Sequence, residues 1–330
     1  MASQDELLKP YISTGQLPPT EQIRRLLQEA YDLYKDNDEG QNADYIPALA
    51  NTPRHLFGVC LASVKGEHYA LGDEDYEFSI QSISKPFVFA LVCQAIGVDE
   101  IRDKIGLNNT GMPFNSVIAL ELNERRLANP MVNGGAIATT SLVPGDTAEA
   151  KWQFIQDGLA RFAGRRLSFN AEVYASETAT NQRNRGIAML MASYNRMYFD
   201  PLVATDIYTK QCSLNITVRD LAVMGSTLAN GGINPITGER VIEAALCKRV
   251  LAVMATAGLY ERSGEWLYDI GLPGKSGVSG GIVTISPGKG GLGVFAPPLD
   301  GAGNSIKGQL VTRFLSDRLG LNLFTSTPTL

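Results

Sequence analysis

The sequence predicts an α+β fold: an antiparallel sheet flanked by helices, with an all-helical lobe beside it. Three observations carry this. Strand-like segments cluster near both ends of the chain, helical periodicity fills the middle, and an amphipathic helix follows the last strand. At 330 residues, 44% hydrophobic and 19% charged, the composition is that of an ordinary globular protein able to bury a large core. One domain is expected over residues 1–330, its sheet assembled from about 40–80 and 255–330 around a helical region at about 84–250.

Pro19 and Thr20 offer a cap for a first helix, in which Ile23, Leu26, Leu27, Ala30, Tyr31 and Tyr34 recur at helical spacing. The polar stretch KDNDEGQNAD then reads as a loop. From Leu56 a hairpin is expected: LFGVCLASV, a Lys65-Gly66-Glu67 turn, then HYALGD. SKPFVFALVCQAI, residues 84–96, reads as a buried helix closed by Gly97. Residues 100 to 250 are mainly helical in pattern, broken by loops such as TSLVPGDTAEA and NGGINPITGE. EWLYDIGLP, GIVTISPG and LGVFAPPL read as successive strands joined by glycine-rich turns. In the closing helix Ile306, Leu310, Val311, Phe314, Leu315 and Leu319 form one stripe, ended by Gly320.

Composition also excludes function classes. A net charge of −5 without a basic stripe argues against a nucleic-acid binder. The cysteines Cys60, Cys93, Cys212 and Cys247 are scattered, with no CxxC pair, which suits buried thiols in a reducing compartment. MASQDELLKPYIS has neither a basic start with an apolar core nor an Ala-x-Ala site, so no signal peptide is expected and a cytoplasmic location follows. No run of about 18 apolar residues suggests a membrane span. Only His55 and His68 are present, so any catalysis must work without a histidine cluster, and neither a zinc site nor another cofactor is expected.

The most informative short motif is Ser82-Ile83-Ser84-Lys85, a Ser-x-x-Lys that opens a helix. At i, i+3 spacing the hydroxyl and the amine share one face of the first turn. Partial burial and the positive potential of a helix N-terminus would lower the lysine pKa and make it a base. Such a base activates an otherwise weak serine nucleophile without histidine. Pro86 suits the first turn, where a missing N–H is no loss. Alone, the motif reads as a solvated helix start. Lys275-Ser276-Gly277, at the start of the strand-like GVSGGIVTI, changes that reading. This order, Ser-x-x-Lys on a helix and then Lys-Ser/Thr-Gly on a strand, is similar to the penicillin-recognising serine enzymes. The glycines allow close backbone approach, so the amides of Ser82 and Val278 are a candidate oxyanion hole.

QSISKPF, NPMVNGGAI, SETATNQRN, the Tyr208-Thr-Lys-Gln-Cys-Ser run, GLYERSGEW and GKSGVSGGI occur in one order. Together they resemble the serine-dependent glutaminases, from about Tyr45 to Val278. The likeness is to the compact bacterial type, without the ankyrin-bearing tail and long leader of the animal enzymes. It implies a β-lactamase/transpeptidase-like fold and L-glutamine as substrate. By motif it implies Ser82 as nucleophile, Lys85 as base, and Asn133, Glu177, Asn184, Tyr208, Tyr260 and the backbone of Val278 as substrate contacts. Tyr45 of DYIP matches a tyrosine that closes over the substrate, and Tyr260 is also a candidate proton donor. Gly134 stands where alanine is more usual; both are small. A homo-oligomer, dimer or tetramer, is expected.

The residues themselves agree. Glu177 and Asn184 are seven apart and would face the same way on a helix. A carboxylate suits an α-ammonium, and amides suit an α-carboxylate. Asn133, before Gly134-Gly135, is otherwise a turn residue, and Tyr208 and Tyr260 are otherwise core or rim packing. Ser193-Tyr194-Asn195 imitates the β-lactamase Ser-x-Asn box but lies in an apolar helical stretch and reads as coincidence. Two other readings of the chain are a penicillin-binding or β-lactamase-type acyl transferase and a catalytically silent glutamine-binding protein.

Overall fold

A sheet whose central strands are buried on both faces divides the molecule, a computed structural model describing residues 15–325, into two cores. The leader stretch read above, residues 1–13, lies outside the described residues. β1 (Gly58–Ser63) and β2 (His68–Gly72) form the expected hairpin, Cys60 opposite Ala70. β3 (Phe78–Ser79) and β4 (Asn215–Ile216) make a small separate pair. β5 (Gly274–Ser276), β6 (Gly281–Ser286) and β7 (Gly290–Phe295) complete an antiparallel sheet of order β2-β1-β7-β6-β5. Thus β1, near one end of the chain, pairs with β7, near the other, from Gly58 opposite Phe295 to Ser63 opposite Gly290.

Strand side chains alternate between faces. Cys60, Ala62, Val283 and Ile285 join the core of the helical lobe, whereas Val59, Leu61, Ile282, Leu292 and Val294 join the opposite core. That second core is closed by α1 (Thr20–Tyr34), through Ile23, Leu26, Leu27 and Ala30, and by the last helix through Val311 and Leu315. Thr20 is not the expected cap. Pro19 occupies that position, and the Thr20 hydroxyl pairs with the Tyr69 hydroxyl on β2 at 3.0 Å.

α2 (Ser84–Ile96) is buried on all sides from Ser84 to Cys93 and ends at Gly97, whose φ of +88° suits glycine. The lobe around it comprises α3 (Asn133–Ser141), α4 (Ala148–Ala163), α5 (Ala171–Thr180), α6 (Gln182–Ser193), α7 (Pro201–Cys212), α8 (Val218–Ala229) and α9 (Ala244–Ala257). A capping box between Thr217 and Asp220 starts α8, which lies across β7, β1 and β6. Its close approach requires Gly291: a Cβ there would stand 2.4 Å from Ala222 O and from Ser226 N. Among the described residues no single helix is long and apolar enough to cross a membrane.

Two sequence expectations are corrected. EWLYDIGLP is not a strand; Ser263–Asp269 form α10, followed by a turn into β5. The apolar run Trp-Leu-Tyr carries no period, and only Trp266 and Ile270, four apart, turn inward, while Tyr268 is 90% exposed. The indole N–H of Trp266 donates to Leu272 O, which ties the helix to that turn. Lys275-Ser276-Gly277 does not open GVSGGIVTI as one strand either. Lys275 and Ser276 finish β5, and residues 277–280 turn into β6. The closing helix, α11 (Ile306–Arg318), lies where the stripe predicts.

Candidate active site

The turn before α2 shapes the site. Gln81 has φ +50°, left-handed backbone in a residue that carries a Cβ, and Gln81–Ile83 form a 3₁₀ turn that runs into α2. Ser82 lies within this turn and Lys85, three residues on, in the first turn of α2. Among the described residues Ser82 Oγ makes no hydrogen bond to Lys85 Nζ. The amine, 2% exposed, donates instead to Asn133 Oδ1 at 2.7 Å. That oxygen also accepts from the Tyr208 hydroxyl at 3.3 Å, and Asn133 Nδ2 donates to Asn184 Oδ1 at 2.8 Å. Burial lowers the Lys85 pKa to about 7, against weaker raising effects of Cys212 and Glu177. Burial, more complete than the sequence suggests, is the main cause.

Near Ser82 lies a second buried lysine. Lys275 is fully buried; its Nζ donates to Ser276 O at 2.7 Å and stands 4.0 Å from the centre of the Tyr260 ring. Burial, then the charge of Lys85, hold its pKa well below the ordinary lysine value. Tyr260 is itself 1% exposed at φ +58°, a second left-handed residue with a side chain. Burial raises its phenol pKa, and the nearby hydroxyls of Ser82 and Ser276 lower it. Among the described residues Tyr260 Oη has no well-formed hydrogen bond. Ser276 Oγ commits its proton to Asn304 Oδ1 at 2.5 Å.

At the other end Glu177, 7% exposed, accepts from Gln81 Nε2 at 3.4 Å. Burial raises its pKa to about 7, opposed by that hydrogen bond and by Lys85. Glu177 and Asn184 do not share one helix: α5 ends at Thr180 and α6 begins at Gln182, with Asn181 between them. Both still border a cleft of about 100 Å³. Tyr45, Ser82, Asn133, Tyr208 and Val278 line it too, with Lys85 and Tyr260 behind Ser82. Tyr45 is half exposed at the rim, with its hydroxyl end in crowded surroundings that raise its pKa through burial. Among the described residues neither the Ser82 nor the Val278 amide donates to another backbone group.

Further lining residues escape sequence reasoning. Gln81 reaches Glu177, and Arg183 Nε donates to Asn115 O across the mouth at 2.9 Å. Gln81 has a faint signal, its place before Ser82; Phe114 and Asn115 sit in a loop without periodicity. Ser193 is exposed at the end of α6 and takes no part in the cleft, nor does either histidine. Among the described residues no group of three or more His, Cys, Asp or Glu side chains is placed to hold a metal. The arrangement suits a small molecule with a cationic end at Glu177 and a carbonyl presented to Ser82.

Comparison with known proteins gives the same direction. The sequence model described as Glutaminase matches residues 40–324. Glutaminase 2 of Yersinia pestis is 60% identical over 318 residues, covering 96% of this chain and 94% of that protein. The solved structure of a probable glutaminase, ybaS, superposes with a TM-score of 0.92 at 44% identity, covering 94% of this chain and 100% of that one. A probable glutaminase from Bacillus subtilis, complexed with 6-diazo-5-oxo-L-norleucine, superposes with a TM-score of 0.82 at 30% identity, over 96% and 100%.

Proposed function

The chain belongs to the glutaminase family, and from that premise we propose that it hydrolyses the side-chain amide of L-glutamine to L-glutamate and ammonia, with Ser82 as nucleophile and Lys85 as base. The observation that carries the chemistry is Lys85: a buried amine with an amide oxygen for its partner, its pKa drawn down to about 7. A lysine in that state takes a proton near neutrality.

In this mechanism neutral Lys85 removes the Ser82 proton as Oγ attacks the amide carbon of glutamine. The amides of Ser82 and Val278 receive the oxyanion. When the C–N bond breaks, the nitrogen leaves as ammonia with a proton from Lys85 or Tyr260. Lys85 restores the proton where Tyr260 gave it; water then adds to the γ-glutamyl ester, giving its proton to Lys85, and the C–O bond to Ser82 breaks to release glutamate as Lys85 returns that proton to Oγ. Glu177 holds the α-ammonium, while Asn184, Asn133 and Tyr208 hold the rest of the amino-acid end. Tyr45 closes the mouth.

The test is release of ammonia and glutamate by purified protein, with Ser82→Ala as control. 6-Diazo-5-oxo-L-norleucine, the compound carried by the Bacillus relative, is expected to alkylate Ser82. Fragmentation must resolve Ser82 from Ser84 in the labelled peptide. Label on Ser84, on Cys212 or nowhere would overturn the assignment. Sedimentation of the same preparation checks the dimer or tetramer expected from the sequence.

A further inference from the structure

We propose that Ser84 and Gln211 are positioning residues, a buried hydrogen-bonded strut that fixes the carbonyl of Gln81 and so holds Ser82 in its attacking orientation. The inference deepens the reading of Ser82 as nucleophile and rests on it. The strut crosses two elements. Gln211 Nε2, on α7, donates to Ser84 Oγ at 2.9 Å, and Ser84 Oγ donates to Gln81 O at 2.8 Å. The Ser84 backbone N–H also donates to that carbonyl. Behind Gln211, the Thr140 hydroxyl on α3 lies 3.4 Å from Gln211 Oε1, shared with Ala136 O at 3.0 Å. Ser84 and Thr140 are 0% exposed and Gln211 is 1% exposed.

Gln81 is the residue that needs such a strut. Its φ of +50° is unfavourable for a side chain with a Cβ, and such a conformation persists only where the surroundings over-determine it. Two donors on one carbonyl do that here. The same residue sends its side chain to Glu177 Oε2 at 3.4 Å and Ser79 Oγ at 3.3 Å. Rotation of its backbone would therefore move both the serine that follows it and the contact to the carboxylate. Packing alone does not call for a buried hydroxyl and a buried amide here, because each costs desolvation unless bonded. The strut also disposes of Ser84 as a rival nucleophile, since its proton is committed away from Lys85.

Steady-state kinetics of Ser84→Ala, Gln211→Met and the double variant test this, beside Ser82→Ala and thermal melts of each. Each single change is expected to lower kcat by about 10- to 100-fold, as small misplacements of a reacting group do, with a smaller change in KM. The double variant is expected to be no worse than the poorer single one, because both break one strut. Wild-type kcat per folded molecule, with only the melting temperature lowered, would overturn the proposal; so would losses that add in the double variant. Turnover by Ser82→Ala would instead overturn the nucleophile assignment. Should Ser84→Ala not fold, Gln211→Met, which leaves the hydroxyl in place, carries the test alone.

Discussion

In the proposed mechanism Lys85 and Glu177 must both be deprotonated for glutamine to be captured and attacked, yet burial draws both pKa values to about 7 from opposite sides. Below that pH the lysine keeps the proton it must give up, and the carboxyl is too neutral to hold an ammonium. The limb of log kcat/KM below pH 7 is therefore expected to rise with a slope approaching about two, since kcat/KM reports the free enzyme. The kcat limb should have a slope of about one, because a bound ammonium keeps Glu177 ionised. Glu177→Gln should flatten the kcat/KM limb to about one and weaken glutamine capture by about 2–3 kcal/mol, the worth of a charge-assisted bond. A limb still approaching two in that variant would remove Glu177 from the role. Ser82→Ala and Lys85→Ala should each abolish nearly all turnover, and the double variant should be little worse. Ser82 and Lys85 were picked out by a motif whose hydroxyl and amine imply chemistry, Glu177 and Asn133 only by the family resemblance, and the structure brings Ser82, Asn133 and Glu177 to one cleft. Arg183 was not legible, because a bond across a cleft mouth leaves no trace in spacing, and Gln81 offered only its place before Ser82, since a left-handed φ leaves none either.

Periodicity revealed elements where burial is one-sided, as in α1 and α11, and failed where few residues are buried. α10 is the example: Trp266 is its one fully buried apolar side chain, and a three-residue apolar run fits a strand equally well. Nor does sequence reveal how near α8 comes to β7, which depends on the missing Cβ of Gly291. Gly291→Ala is expected to destabilise by about 1–3 kcal/mol, the usual cost of overpacking, measured by urea unfolding. Gly264→Ala is the contrasting substitution: in α10, with open space around the added carbon, it should be neutral or stabilise by up to about 1 kcal/mol. Equal effects at the two sites would mean that propensity, not contact, decides both.

Across the whole molecule the cysteines report how the cores open. Cys60, Cys93, Cys212 and Cys247 are free and buried, and burial pushes the Cys60 and Cys93 thiols up to about 12. A thiol reagent should therefore find no fast-reacting group in the native protein and all four in denaturant, since the thiolate is the reactive form. Fast modification in buffer would show local opening of the helical lobe. The pairing of β1 with β7 reaches further, to how the chain is made. Ser63 emerges from the ribosome roughly 230 residues before its partner Gly290, a wait of about 10–45 seconds at common rates of synthesis. Throughout it the β1 edge that β7 will cover, with Val59, Leu61 and Cys60 beside it, has no native neighbour. The nascent protein must carry an unfinished sheet through most of its own translation, and chaperone demand should fall sharply only when β7 clears the exit tunnel. Stalled chains ending before Gly290 should stay protease-sensitive in the hairpin, and chains extended far enough to expose Phe295 should become protected there.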